Sequence, residues 1–501
     1  MRTVWLGGDK VTRGVFRVAR TETGDQVGLG VVVVVAFAAL WASGSSTTGF
    51  LIALAIACLG ALVCIPWEFL RPWTGGLSLR SAVAVRVTYR WRARHGLTAF
   101  EATPERPVPA GVGSLAGTNE ASDEGIVGVV EPARSVDRGS GRYFVTVVES
   151  QGDAQASRLR PGEAWSNFLE AVTAEDCPVS HVSQVSSVTD WDPTDHVWLT
   201  LQDLERVNET NERLIDSYAE VIDTIRSTAA TRRSWVVLRF PVSSTLKEEG
   251  GTEDAMRAKV ADETVAVIDR ARVLGLEMRP LDCTGVAALC RHIMDPEVSP
   301  DDTRGLGNGE SLWLGAFPDF TTSEDKRALI VEGSQGKRWM TTWEIPAWAI
   351  APGAHPADFL YPAVTALSGR INRTFVVTAE LVSSVRARKS ALEDYSSDLS
   401  AIRDSNRVSD GTNEVQVAAS QVRVNDLQPG KRTTGVRWSM AVTFHAHSEK
   451  QWHRFERRLS GALTDSQISE TPLRFRYRQD NALGIVMPFA RAWRKTLLEK
   501  L

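Results

Sequence analysis

The most pronounced pattern along the chain is a pair of apolar runs near its N-terminus. Residues 27–42 and residues 49–66 contain no charged side chain, and the six residues between them are small and polar. As a helix rising about 1.5 Å per residue, the first run would cover roughly 24 Å, which suits a locally thin bilayer. Lipid requires each span to satisfy its own backbone hydrogen bonds. The pattern therefore predicts a hairpin of two transmembrane helices within residues 27–70.

Charges on both sides of these runs predict how the hairpin is oriented. A basic tail, residues 1–26, carries five Lys or Arg side chains, and residues 71–94 carry six arginines and no acid, whereas the turn carries no Lys or Arg. Because positive flanks stay inside, the chain is expected to be a multi-pass protein of the plasma membrane with both termini cytoplasmic. The side chains expected to anchor it at the membrane surface are Trp41, Trp67, Arg71 and Trp73.

Two other interpretations of the apolar runs remain open. A basic tail before an apolar stretch is also typical of a cleaved signal peptide, although the second run and the arginines after it disfavour this alternative. The remaining alternative is a pair of buried helices in the core of a soluble protein.

Residues 71–124 are predicted to be a basic juxtamembrane segment followed by a linker. Arginines recur there at near-helical spacing, and apolar residues step by four: Arg80, Arg86, Arg90 and Arg94, with Val83, Val87 and Trp91. This pattern favours an interfacial amphipathic helix that faces anionic lipid, and the alternative is an ordinary solvated basic face. From residue 101 onward the segment is rich in Pro, Gly and Ser, which is typical of a linker.

Strand and helix patterns alternate in the rest of the chain, which predicts a cytosolic α+β region of two halves. The first half covers residues 125–300, residues 301–335 are a glycine-rich linker, and the second half covers residues 336–501. The predicted elements include helices at 254–274 and 356–367 and strands at 339–350, 372–382 and 435–447. The order strand, helix, strand, long helix, strand, helix occurs in both halves and suggests a pseudo-repeat. Coincidence is the alternative, because such alternation is common in mixed folds.

Composition restricts the class of protein further. The 501 residues leave room for about three domains of roughly 150 residues each. The formal net charge of −4 gives no overall attraction to nucleic acid, and no direct sequence-specific binding to nucleic acid is expected. Five scattered cysteines are too few for a disulfide framework and fit reduced thiols in the cytosol.

No sequence motif predicts catalysis, a cofactor or a metal. Residues 333–338 resemble a phosphate loop, but Val331 stands where the loop needs Gly and Arg338 where it needs Ser or Thr, so a turn between strands is expected. The spacing of Cys283, Cys290 and His292 matches no zinc pattern and favours buried thiols on a helix. The alternation of His445 and His447 is weak as a metal signal, and exposed strand histidines are favoured.

Several segments together resemble a known family. They are residues 91–96, Trp-Arg-Ala-Arg-His-Gly; residues 338–346, Arg-Trp-Met-Thr-Thr-Trp-Glu-Ile-Pro; the charged helix predicted at 383–407; residues 436–444; and residues 479–488, expected as a strand that ends in a proline turn. Their order after a two-helix hairpin resembles a membrane protein of actinobacterial conjugative elements. The hairpin is similar to PrgI/TcpE-type components, and the remainder to the N-terminal, non-ATPase region of VirB/TrbE/CagE-type traffic ATPases.

The resemblance implies a structural and docking subunit of a type IV-like complex for conjugal DNA transfer. Its expected partners are a separate motor ATPase, other membrane subunits and the lipid bilayer, within an oligomeric assembly. The candidate docking residues are Arg386, Arg388 and Lys389, on the helix predicted at 383–407. That helix could instead be solvated and packed on the sheet by Leu392, Leu399 and Ile402. A component of a type VII secretion system and a membrane-tethered enzyme with an unrecognised site are the alternative functions.

Overall fold

The structure is a computed structural model and describes most of the chain. The described residues are 3–6, 23–43, 46–65, 78–132, 141–151, 161–173, 177–190, 200, 212–228, 230–346, 349–350, 353–356, 363, 371–404, 412–428, 435–466, 468 and 473–491. Helices and strands are mixed, and one antiparallel sheet dominates, so the α+β prediction is confirmed.

The strands are β1 (Thr3–Leu6), β2 (Leu115–Ser122), β3 (Gly125–Pro132), β4 (Tyr143–Gln151), β5 (His181–Asp190), β6 (Ala230–Pro241), β7 (Glu277–Pro280), β8 (Phe320–Thr322), β9 (Leu329–Gly333), β10 (Gly336–Pro346), β11 (Gly353–Pro356), β12 (Arg373–Val382), β13 (Gly435–Ala446) and β14 (Leu473–Arg474). The helices are α1 (Thr23–Ala42), α2 (Thr47–Cys64), α3 (Leu79–Arg94), α4 (Pro161–Val172), α5 (Glu212–Thr228), α6 (Ser244–Gly250), α7 (Glu253–Val273), α8 (Cys283–Met294), α9 (Ser384–Asp404), α10 (Thr412–Asp426), α11 (Glu449–Asp465) and α12 (Gln479–Val486).

The large sheet passes through both halves of the chain without a break. Its strand order is β2-β3-β4-β6-β5-β12-β13-β10-β9-β8, with β7 added to β4 and β14 added to β10. The halves join where β5 and β12 pair antiparallel, from Val188 opposite Arg373 to His181 opposite Glu380. A separate two-stranded sheet pairs β1 with β11.

Helices cover both faces of the sheet, because alternate residues of a strand point to opposite faces. In β4, Val145 and Val147 enter one core, which they share with α8 and α12, whereas Phe144 and Val148 enter a second core with α7. In the second half a third core forms around the buried Trp452 of α11, whose indole Nε1 donates to Thr341 Oγ1 at 2.7 Å. The core shared with α8 and α12 also takes residues from β12 and β13 and therefore underlies both halves.

The structure differs from the predicted linkers. The segment predicted as linker within residues 71–124 includes β2, and residues 301–335 include β8 and β9. Glycine in the first of these segments permits close packing: a Cβ on Gly111 would lie 2.0 Å from the backbone oxygen of Asp480. At Gly111, glycine therefore allows two backbone segments to pack closely and does not indicate a flexible linker.

Other differences concern elements of the second half. Residues 479–488 were expected as a strand, but α12 forms there, because Ala482, Leu483, Ile485 and Val486 fill the core from a helix. Helix α10 has no counterpart in the prediction. The strand expected at 339–350 begins earlier and ends at Pro346, and most of the helix expected at 356–367 lies outside the described residues.

Candidate functional site

Helices α1 and α2 form a closely packed pair near the N-terminus. Gly60 makes the close approach possible, since a Cβ there would lie 2.3 Å from a methyl group of Val32. Ala36 and Ala53 are buried within the pair. Ser46 caps α2, because its hydroxyl accepts a hydrogen bond from Gly49 N at 3.1 Å. Small residues therefore hold the two helices together.

The outer faces of this pair are apolar and exposed. On α1 the exposed fraction reaches 71% at Phe37 and 89% at Trp41, and on α2 it reaches 65% at Leu59. Further exposed apolar residues are Val31, Val33, Val34, Val35, Phe50, Leu51, Ile52, Leu54 and Leu62. Soluble monomers rarely expose contiguous apolar surface on this scale, which usually marks contact with lipid or a partner.

Length and hydropathy distinguish the two helices. Among the described residues, α2 is the helix long and apolar enough to cross a membrane, with a mean hydropathy of 2.3, whereas Gly30–Ala42 in α1 is a shorter apolar helix. The predicted hairpin of two membrane spans is therefore not confirmed. A helix in the core of a soluble protein can be equally long and apolar, but only 22% of α2 is buried. Of the predicted anchors, Trp41 lies exposed at the end of α1, and Trp67, Arg71 and Trp73 lie outside the described residues.

The N-terminal strand is bonded to the second half of the chain. In the antiparallel pair of β1 and β11, Thr3 lies opposite Pro356 and Leu6 lies opposite Gly353. Helix α10 contacts both strands. The segment before α1 and a segment of the second half, far beyond α2 in sequence, are therefore held together by the β1–β11 pairing.

Helix α3 presents two different faces. The face toward the rest of the protein buries Ala82, Val85 and Arg92. The opposite face exposes the predicted apolar stripe, with Val83 49%, Val87 53% and Trp91 56% exposed. The predicted helix is present and begins at Leu79, with its apolar stripe exposed; contact with anionic lipid stays a prediction.

A buried ion pair holds α3 on α12. Arg92 Nη1 lies 2.7 Å from Asp480 Oδ2, and Arg92 Nη2 donates to Tyr477 O at 2.7 Å. Burial raises the pKa of the Asp480 carboxyl, and Arg92 opposes that shift. A charged pair removed from water in this way stabilises the contact only while both partners are present.

Aromatic contacts and backbone strain occur at the same place. The rings of Tyr89 and Tyr477 meet edge to face with centroids 5.4 Å apart, and the Arg86 guanidinium lies over the Tyr477 ring. Tyr477 and Lys326 both have positive φ, at 65° and 62°, and Tyr477 N donates to Lys326 O at 2.8 Å. Positive φ is energetically costly for residues other than glycine, so the surrounding contacts must stabilise the backbone at Lys326 and Tyr477.

Helices α9 and α10 form a second helical pair, which carries the candidate docking residues. Arg386 and Lys389 are exposed, and Arg388 is half-buried. The helix packs through Ala387 and Ala391. Its next turns face α10, where Asp394 pairs with Arg423 and Asp398 accepts from Ser420 Oγ at 2.5 Å. Of the three residues in the alternative packing on the sheet, Leu392 is exposed, Leu399 is half-buried, and the side chain of Ile402 lies outside the described residues. The helix does contact β13.

Two buried histidines lie where the halves meet. His292 Nε2 lies 2.9 Å from Ser187 Oγ, and His445 Nε2 lies 3.0 Å from Ile293 O. Burial lowers the pKa of His292 to about 4 and that of His445 to about 3. Both rings are therefore neutral at pH 7. The expectation of exposed strand histidines is wrong for His445, because α8 covers this end of β13, and holds for His447.

Thiols and metal ligands show no arrangement for chemistry in the described residues. Cys283 and Cys290 are buried on α8, as predicted, and burial raises the pKa of Cys283 to about 12 and that of Cys290 further. High pKa values make these thiols poor nucleophiles. No group of three His, Cys, Asp or Glu side chains in the described part of the chain could hold a metal ion.

The segment that resembles a phosphate loop is a β-hairpin turn, as predicted. Gly333 and Gly336 pair across the ends of β9 and β10. Lys337 is engaged in a cross-strand ion pair with Glu332 at 2.8 Å. Arg338 is buried and lies 3.5 Å from Asp295.

No family model and no curated protein matches this chain. The features that bear on function are therefore the exposed faces of α1, α2 and α3 and of the α9–α10 pair. Sequence reasoning missed Asp480 and Tyr477, which hold α3. No local pattern could reveal them, because Arg92 and Asp480 are separated by 388 positions.

Proposed function

We propose that the protein is a membrane-anchored structural and docking subunit of a type IV-like complex for conjugal DNA transfer. In this proposal α1 and α2 cross the plasma membrane as a hairpin, and both termini and the α+β body are cytoplasmic. The observation that carries the anchor is the exposed apolar surface of the α1–α2 pair, combined with the pairing of β1 and β11. The transfer complex itself rests on the family resemblance.

The strand pairing supports an even number of membrane crossings. Because β1 precedes α1 and β11 follows α2, hydrogen bonds between them require both to lie on the same side of a membrane. If α2 crosses, α1 must cross as well. The uncharged run of α1, residues 27–42, would span about 24 Å, so α1 could cross only where the bilayer is locally thin. The arginines that flank the hairpin favour the cytoplasm as that side.

We also infer that the body is a structural repeat. The first unit runs through the hairpin β2–β3, then β4, β5, β6, β7 and α8; the second runs through the hairpin β8–β9, then β10, β12, β13, β14 and α12. Within the units the strand orders β7-β4-β6-β5 and β14-β10-β13-β12 are the same. This is the order of a split βαβ unit, with helices inserted between the two middle strands in sequence. The units meet edge to edge through β5 and β12.

The proposed partner is a separate motor ATPase, which the body recruits to the membrane. Helix α9 offers a basic start in Arg386 and Lys389, and its exposed Val385 and Leu392 add apolar surface. Charges of this kind steer a partner of opposite charge. A specific interface should bury about 1,200 Å² or more in total, so α9 would be one part of a larger contact that includes other membrane subunits.

Capture of a motor ATPase encoded by an adjacent gene, by the full-length protein in detergent, tests this docking face. With Arg386→Glu and Lys389→Glu together, we expect binding about tenfold weaker, because attraction becomes repulsion. Arg388→Gln, made separately, tests the half-buried side chain. The control reverses Lys450, Arg454 and Arg457, which are exposed on α11, and should leave capture unchanged. If the α9 charge reversal captures as much ATPase as the α11 control, α9 is not part of the interface. If the unmodified protein captures none, the docking proposal is wrong.

The proposal includes no catalytic role for this chain. We expect the purified protein to show no saturable ATP binding, because the glycine-rich turn is closed by β9 and β10 and Lys337 is paired with Glu332. Equilibrium titration with a fluorescent ATP analogue checks this. Saturable binding that disappears in Lys337→Ala would overturn it.

A further inference from the structure

The exposed face of α3 combines apolar and basic residues. Successive residues of a helix are about 100° apart, so Val83, Val87 and Trp91 lie on one side together with Arg90 and Arg94. All five are exposed, and the sequence of α3 contains no acidic residue. The buried face lies opposite, and Arg92 points from it toward Asp480. Arginine and apolar side chains therefore share the solvent-facing side.

We propose that this face of α3 lies in the headgroup region of a bilayer containing anionic lipid. The inference rests on the proposed membrane anchor. Aliphatic side chains and Trp enter the boundary between headgroups and acyl chains, while guanidinium groups contact lipid phosphates. Two observations identify the occupant: every charged side chain on this face is basic, and α3 contacts α2, whose own outer face is apolar. The lipid surface thus continues from one helix to the next.

Lipid contact by α3 would also orient the body. Arg92, Tyr89 and Arg86 fix α3 on the turn at Tyr477. A helix held rigidly on one side and seated in headgroups on the other transmits the plane of the membrane to the sheet. The second repeat unit would then present α9 and α10 in a defined direction.

A spin label at Val87→Cys in the full-length protein tests the proposal. Cys58 and Cys177, the exposed and half-exposed thiols, are first replaced by Ser, and the remaining three cysteines are buried. The protein is placed in nanodiscs of phosphatidylcholine, with or without phosphatidylglycerol. We expect the label in anionic discs to collide more with oxygen than with a water-soluble nickel complex. Arg90→Gln with Arg94→Gln should reverse that preference.

Two further labels make the outcomes separable. A label at Leu54→Cys on α2 reports the anchor itself and should be lipid-exposed in every disc, so its failure would count against the proposed function instead. A label at Val273→Cys, 87% exposed at the end of α7, should stay in water. A water-exposed label at position 87 in anionic discs would overturn the proposal, as would equal burial in both lipids. Shielding only on addition of duplex DNA would assign the face to nucleic acid and also overturn it.

Discussion

Replacing Asp480 by alanine is expected to lower the free energy of unfolding by about 3–5 kcal/mol, the usual cost of leaving one partner of a buried ion pair alone. The Arg92 guanidinium would keep Tyr477 O as an acceptor but lose its carboxylate in a site where only 6% of the residue is exposed. Urea unfolding in detergent gives the energy. Hydrogen exchange of residues 78–94 gives the local effect, which should be faster exchange as α3 separates from the body.

A double variant distinguishes the ion pair from a general loss of packing. Arg92→Met with Asp480→Leu removes both charges at similar volume and should recover most of the lost stability, since apolar replacements of buried pairs are often neutral. If the double variant is as unstable as Asp480→Ala, the contact depends on shape and not on charge. Stability unchanged in Asp480→Ala would mean that Arg92 does not hold α3.

Acidification is expected to destabilise the protein strongly below pH 6.5, because His292 and His445 are buried in their neutral form. Their folded pKa values, about 4 and about 3, lie below the ordinary value of 6.5. The unfolded chain therefore binds more protons in this window, and stability is complete above pH 6.5 and falls as the pH decreases toward 4. Each histidine contributes a slope of about 1.4 kcal/mol per pH unit.

Titration of urea unfolding between pH 7.5 and 5 checks this expectation. His292→Asn and His445→Asn should each reduce the slope by one proton, even if they also lower stability at pH 7. Asp480 acts in the opposite direction, because burial raises its pKa, so its contribution must be measured in the Asp480→Ala background. A slope that neither histidine variant changes would show that both rings are already protonated or exposed.

Local periodicity was sufficient to predict several elements of the sheet and its helices. The helix expected at 254–274 is α7, and the strands expected at 372–382 and 435–447 are β12 and β13, with ends shifted by a residue or two. Helix α7 buries one face, whereas β12 and β13 are central strands with buried residues on both faces, so local propensity and burial agree in each case. The alternation of elements also indicated two similar halves, although no residue pattern could predict that β5 and β12 join them.

Prediction failed where tertiary contacts decide. Gly111 was predicted to lie in a linker, but the backbone of Asp480, remote in sequence, packs so closely against it that a Cβ would not fit. α12 was read as a strand, because Ile485 and Val486 favour strands locally, and the core selects a helix instead. The pairing of β1 with β11 is equally non-local. The candidate site was therefore predictable in its apolar and basic stripes, and unpredictable in the contacts that position them.

Accessibility of single cysteines in intact cells tests the membrane hairpin most directly. In a background with Cys58→Ala and Cys177→Ser, cysteine is placed at Thr47, the first residue of α2, or at Asp123, in the turn between β2 and β3; both positions are exposed. We predict that an impermeant maleimide labels Thr47→Cys in intact cells and labels Asp123→Cys only after permeabilisation. Labelling of Asp123→Cys alone in intact cells, or protection of both until lysis, would contradict a hairpin with a cytoplasmic body.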